Sequence, residues 1–264
     1  SLGATKSSQP DILLIMADDM GFSDIGCYGG EIPTPNLDSL ARNGLRLTQF
    51  YNTARCCPTR ASLLTGLYPH QAGVGHMVDQ KRYGDRPGYV GELNNQCVTI
   101  AEALQPAGYR TYMTGKWHVT PFRKPGREQG RANWPLQRGF DRFYGFLEGE
   151  TDQFHPDLVC DNHHVEVPAT SENAYHLSED LVDQALGMIA DSVGVRPDRP
   201  FFTYLAFGAT HAPHQAPEAY LAKYRGRYDE GWDVVRQRWF ERQLELGVIP
   251  EGTGLAPRNP GVEP

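Results

Sequence analysis

The sequence predicts an α/β fold with a mainly parallel central sheet covered by helices, and three observations carry that prediction. Short apolar runs ending in Gly, Asp or His alternate with helical patterns along the chain. Polar residues cluster just past three of those runs, where open α/β sheets expose their ligand-binding edge. Finally, 264 residues at 39 % hydrophobic and 22 % charged suffice for one globular core, with no internal repeat.

The elements follow in order. Asp11 to Ala17 reads as a buried strand, and Asn36 to Asn43 as a helix with Pro35 before it and Gly44 as its stop. Pro58 suits the first turn of a helix running from Thr59 to Leu64. Thr99 to Leu104 carries a Ser/Thr-x-x-Glu capping box, and Gly108 closes that helix before a strand from Tyr109 to Met113. Arg123 to Arg138, rich in Pro, Gly, Arg and Gln, is expected to be an exposed loop over the site end of the sheet. Leu181, Val182, Ala185, Ile189 and Val193 form a helical stripe over Leu177 to Val193, which Gly194 can end. Phe201 to Phe207 reads as another buried strand. Helices are expected at Glu218 to Tyr224 and Trp232 to Leu246, and the Pro/Gly-rich residues from 251 to 264 as coil.

Charge and cysteine content narrow the classes of function. A formal charge of −7 argues against a nucleic-acid partner, while leaving room for a local cationic pocket. Cysteines 27, 56, 57, 97 and 160 are odd in number and contain no Cys-x-x-Cys pair, so they neither make a zinc ribbon nor fix a redox compartment. No apolar run approaches a membrane span, and Ser1 to Pro10 lacks the apolar core of a signal peptide. Localisation therefore rests open, with a periplasmic or secreted setting favoured over the cytoplasm; oligomeric state is not set.

Cys56-Cys57-Pro58-Thr59-Arg60, followed by Leu64-Thr65-Gly66, is the most informative stretch. It places residue 56 near a helix N-terminus, where free N–H groups favour an anion. Vicinal cysteines also serve as a buried pair or as an ordinary low-pKa thiol. Asp18 and Asp19 after the first strand suit a hard divalent cation, Ca²⁺ or Mg²⁺, though an acidic turn, or Asp19 capping the next segment, uses the same residues. Lys116 and His118 follow the Tyr109 strand, offering a cation for an anionic oxygen and an imidazole that moves a proton near neutral pH. Thr210 and His211 follow the Phe201 strand. Lysine and histidine at such spacing are also ordinary surface residues, with Trp117 in the core. His214 reads as structural or rim, and His70, His76, His155, His163 and His164 lack metal-helix spacing.

Four anchors in order resemble the type I sulfatases of the alkaline phosphatase superfamily, bacterial arylsulfatases in particular. They are Ala17-Asp18-Asp19-Met20-Gly21, the Cys56-x-Pro58-x-Arg60 signature, Gly115-Lys116-Trp117-His118 and Thr210-His211-Ala212-Pro213. The resemblance runs from Asp11 to about Leu246. It implies a three-layer α/β/α sandwich of alkaline-phosphatase type, with residues 1–250 the N-terminal part of a catalytic domain. It further implies that a maturase oxidises Cys56 to formylglycine, and that its hydrate attacks a small-molecule sulfate ester. Asp18, Asp19 and residue 56 would hold Ca²⁺, Arg60 would fix the formylglycine hydroxyl, Lys116 and His211 would stabilise sulfuryl oxygens, and His118 would move the proton. Cys57 falls at the variable position and is expected to pack. The family also carries, farther along, an Asp-Asn pair and a second Lys without counterparts here, because Asp161-Asn162 precedes His211. The expectation is roughly the first half of a sulfatase. A phosphate or phosphonate monoester hydrolase of the same superfamily and a non-catalytic fragment or binding module are the alternatives.

Overall fold

The structure, a computed structural model, describes residues 9–78, 86–121, 131–168 and 175–261. It divides into two compact units, Ser1–Asp19 with Asn52–Gln215 and Met20–Tyr51 with Ala216–Pro264.

The first unit is built on a six-stranded sheet. In chain order its elements are β1 (Ile12–Met16), α2 (Cys56–Thr65), α3 (Ile100–Leu104), β2 (Arg110–Lys116), β3 (Arg142–Phe146), β4 (Leu158–Cys160), β5 (His163–Val165), α4 (Leu177–Val195) and β6 (Phe201–Ala206); α1 (Pro35–Asn43) belongs to the other unit. The spatial order is β1-β6-β2-β3-β4-β5. β1, β6, β2 and β3 pair in parallel, and β4 and β5 close one edge as an antiparallel hairpin. The mainly parallel α/β sheet is thus observed.

Side chains alternate across β2 because successive Cβ atoms point to opposite faces. Met113 enters a core with Cys57, Ala61 and Leu64 of α2 and Phe143, Phe202 and Tyr204 of the sheet. Tyr112 joins the opposite core, with Leu177, Leu181 and Met188 of α4 and Leu205 of β6. Helices therefore cover both faces, which makes three layers.

The capping box forms at α3: Glu102 N donates to Thr99 Oγ1 at 3.1 Å, and Thr99 N donates to Glu102 Oε2 at 2.6 Å. This satisfies two of the otherwise orphaned N–H groups. α4 runs through Gly194 to Val195, so that glycine does not end it. The expected loop from Arg123 to Arg138 divides: residues 122–130 lie outside the described residues, whereas Pro135–Arg138 is a 3-10 turn with Arg138 buried. Its guanidinium donates to Cys97 O at 2.9 Å and Asn133 Oδ1 at 2.9 Å and pairs with Glu102 at 3.2 Å. The arginine that looked like loop chemistry in the sequence is a core strut.

The second unit holds α1 (Pro35–Asn43), α5 (Glu218–Leu221) and α6 (Trp232–Glu245). Asp38 and Thr34 anchor the turn before α1, accepting from Cys27 N at 2.7 Å and Gly26 N at 2.9 Å. Gln243 of α6 donates to Tyr28 O at 3.2 Å.

Candidate active site

Three strand ends and one helix N-terminus of the first unit supply the site. β1 leads into Asp18 and Asp19, and β6 into Thr210 and His211. The two connections are tied by backbone, since Asp18 N donates to Ala209 O at 3.0 Å and Thr210 N donates to Asp18 O at 2.7 Å. β2 extends farther than its sequence suggests, and Lys116 is its last residue, paired with Phe146. Gly115 makes that extension feasible. At φ +107° a Cβ there would lie 1.8 Å from Ala206 O, so only glycine lets β2 hold this line beside β6.

Asp18 is buried and sits between two cations, Lys116 Nζ on Oδ2 and Arg60 Nη2 at 3.3 Å from Oδ1. Arg60 and Lys116 are themselves fully buried. Arg60 Nη1 also donates to Lys116 O at 2.7 Å and to the Tyr204 hydroxyl at 3.4 Å. Two cations thus face one carboxylate in a site sealed from water, an arrangement biased toward a further anion.

Cys56 opens α2, one turn before Arg60 on the same helix. Beside it, Cys57 Sγ lies 3.2 Å from His118 Nε2. The Cys57 thiol as hydrogen-bond donor, then the His118 imidazole and the Lys116 charge, hold Cys56 well below the usual thiol range against the opposing effect of burial. Cys57 is pushed up, by its bond to Cys56 and by burial. His118 is buried with Nδ1 unpartnered among the described residues. Its ring is approached so closely by Gly149 that a Cβ there would come within 2.7 Å of Cε1.

Asp19 and His211 form a separate, more exposed pair, His211 Nε2 being 3.7 Å from Asp19 Oδ2. The imidazole bonds Ala212 O through Nδ1 at 2.7 Å.

The structure therefore gathers Asp18, Arg60 and Lys116 into one cluster, Cys56 and His118 into a second with Cys57, and Asp19 and His211 into a third. Among the described residues, the donor atoms gathered within 4.8 Å of one another are those of Cys56, Cys57 and His118. Asp18, Asp19 and Cys56 form no such group. The carboxylates of Asp18 and Asp19 have the hard-oxygen chemistry that Ca²⁺ takes, but Ca²⁺ needs six to eight oxygens, and both Asp18 oxygens already face cations. The donors present do not by themselves make that shell. Sequence reasoning also missed Gly149 against His118 and Tyr204 beneath Arg60, neither of which any local pattern marks. Cys57 does pack as expected, yet it also touches His118. Elsewhere, His70 bonds the Tyr89 hydroxyl at 3.1 Å, His163 and His164 lie in β5, and His176 caps α4 through Nδ1.

The layered fold, with these residues at its strand ends, is that of the alkaline phosphatase superfamily. Within it the chain belongs to the sulfatase family, whose sequence profile, described as Sulfatase, matches residues 10–248. It is 39 % identical over 266 residues to an uncharacterised sulfatase of Schizosaccharomyces pombe, covering 96 % of this chain and 47 % of that protein. It is 34 % identical over 264 residues to an arylsulfatase of Klebsiella aerogenes, covering 96 % of this chain and 54 % of that one. Among solved structures, Ps i-CgsB in complex with k-i-k-neocarrahexaose superposes with a TM-score of 0.70 at 26 % identity, over 91 % of this chain and 53 % of the other. The chain spans about half the length of the curated relatives it matches.

Proposed function

We propose that this chain serves the hydrolysis of sulfate esters of the arylsulfatase type, with Cys56 oxidised by a maturase to formylglycine as the nucleophile. The observation that carries this reading is the buried excess of cation: Arg60 and Lys116 against Asp18, beside a residue 56 that opens α2. Membership of the sulfatase family and the arylsulfatase relatives support it.

In this reading the substrate sulfate binds against Lys116 and His211, whose charge and N–H groups stabilise the oxygens as negative charge builds on them. One hydroxyl of the residue 56 hydrate attacks sulfur, the ester S–O bond breaks, and the proton that the hydroxyl gives up ends on the departing alcohol or phenol. His118 takes the proton of the remaining hydroxyl, so that the C–O bond to sulfate breaks, sulfate departs and the aldehyde returns; a water molecule rehydrates it. Arg60 holds the hydroxyl of residue 56 in place. Asp18, Asp19 and residue 56 are the groups that would hold Ca²⁺, completed by oxygen donors outside the arrangement described. When bound, that cation supplies Lewis-acid polarisation of the ester oxygens.

The test is mass spectrometry of the peptide containing residue 56 after expression with a maturase, followed by kinetics on matched aryl sulfate and aryl phosphate. Formylglycine with faster turnover of the sulfate is expected. An unmodified cysteine together with no sulfate turnover overturns the reading, and a preference for phosphate moves it to the monoester hydrolases.

A further inference from the structure

Two thiols, an imidazole and a thioether converge at the first turn of α2. Cys57 Sγ is 3.2 Å from His118 Nε2, and Met77 Sδ is 3.7 Å from Cys56 Sγ and 3.6 Å from Cys57 Sγ. The ligand atoms of Cys56, Cys57 and His118 all lie within 4.8 Å of one another. Metal–sulfur bonds of about 2.3 Å and metal–nitrogen bonds of about 2.0–2.1 Å put tetrahedral edges at about 3.8 Å between sulfurs and about 3.5 Å between sulfur and nitrogen. The three spacings from Cys57 to His118 and from Met77 to the two thiols match such edges with shifts of a few tenths of an ångström, and the remaining Cys56 spacings to Cys57 and His118 are within 4.8 Å. Cys57 and His118 are also fully enclosed, at 0 % and 2 % exposure, so their donor atoms are already stripped of water.

We propose that, before residue 56 is oxidised, Cys56, Cys57, His118 and Met77 form a binding site for a thiophilic d¹⁰ cation, Zn²⁺ or Cu⁺. Both cations accept thiolate and imidazole, and a thioether in the fourth position favours Cu⁺. Two thiolates offset the charge of a divalent ion, so burying it costs less than burying a bare cation. This site differs from the hard-oxygen one in ligands and in lifetime. Oxidation of Cys56 replaces a sulfur donor with an aldehyde oxygen and dismantles it. Until then a bound cation withholds the Cys56 thiol from the maturase and keeps the vicinal pair from oxidising to a disulfide. Only the loss of the site on maturation rests on the formylglycine reading.

The experiment uses the full chain with residue 56 verified as cysteine by mass. Zn²⁺, and under anaerobic conditions Cu⁺, are titrated against a chromophoric chelator, and Co²⁺ is added in parallel as a spectroscopic probe. One equivalent of Zn²⁺ or Cu⁺ per chain is expected, with thiolate-to-metal charge transfer in the Co²⁺ form. Removing a ligand should weaken binding at least as much as removing an outer-shell partner, about tenfold or more, in Cys57→Ser and in His118→Gln. Met77→Leu weakens Cu⁺ binding if Cu⁺ is the cation, whereas stoichiometric Zn²⁺ binding indifferent to Met77→Leu assigns Zn²⁺ held by Cys56, Cys57 and His118 and overturns Met77 as a ligand. The Co²⁺ spectrum of the unaltered chain reports thiolate ligation even if a variant fails to fold. No stoichiometric binding, equal binding by folded Cys57→Ser, or a Co²⁺ spectrum without thiolate charge transfer overturns the proposal. If residue 56 is never converted by a maturase, the hydrolase reading falls while the thiol site stands.

Discussion

Replacing Asp18 by Asn tests the electrostatic centre of the site most directly. The side chain keeps its shape but loses the charge that faces Arg60 and Lys116. At 3.3 Å and an effective dielectric constant of about 20, the Asp18–Arg60 attraction alone is about 5 kcal/mol before desolvation is subtracted. All three groups are at most 3 % exposed, so solvent screens little of it. Removing one partner of a buried ion pair leaves its counterpart uncompensated, which costs about 3–5 kcal/mol. Here two cations are left so, which places Asp18→Asn toward the upper end. The assay is urea unfolding in the presence of a metal chelator, with circular dichroism as the probe and the slope checked for two-state behaviour. Adding Lys116→Met removes one of the stranded cations and should recover part of the loss, so the double variant is less destabilised than the two single losses added. An Asp18→Asn protein within about 1 kcal/mol of the parent, or strictly additive losses, would refute the buried triad as the source of stability here.

Two further outcomes follow from the geometry around the sheet. Gly115→Ala forces a Cβ into Ala206 O at a positive φ, so a loss of about 3 kcal/mol or more in chemical denaturation is expected, beyond the usual single-site effect; a loss under about 1 kcal/mol would contradict the close approach of β2 and β6. Tyr144 and Tyr175 both donate to Asp180 Oδ2, at 2.7 and 2.9 Å, and burial, then the bond to Asp180 and its charge, push both hydroxyls up from the ordinary tyrosine value. The folded state thus keeps protons that the unfolded chain releases, and stability is full below about pH 10 and falls as pH rises beyond it. Unfolding midpoints measured through that range should decline less steeply in Tyr144→Phe and Tyr175→Phe, and an unchanged slope would exclude these two groups.

The fold was legible where local rules coincide with tertiary ones. Ile12–Met16 and Phe201–Ala206 are apolar runs that become parallel strands within a residue of their expected ends, and Thr99 caps α3 through the box its sequence spells. Reading failed where tertiary pairing overrides punctuation. Gly115 looks like a strand end, yet β2 runs through it because Gly145 sits opposite and the ladder continues to Lys116 with Phe146. β4 and β5 are three residues each, too short to carry a period, and exist because β3 offers β4 an edge and β4 offers one to β5. At the site, the residues to watch could be named from the sequence, but not which would touch. Asp18 turned toward cations and Cys57 toward His118 through contacts spanning 98 and 61 residues, which no local spacing encodes.

The strand order carries a consequence for timing. β1 pairs with β6 alone among the described strands, Ile12 opposite Phe202, so β1 cannot be seated until β6, far along the chain, has left the ribosome. Closing that loop is entropically slow compared with forming α2, whose bonds are local. A nascent chain therefore displays Cys56 while Asp18 still waits for its place beside Lys116. Synthesis itself opens an interval in which the cysteine is exposed before the thiol site that would hold a cation has formed, and translation rate sets how long that interval lasts.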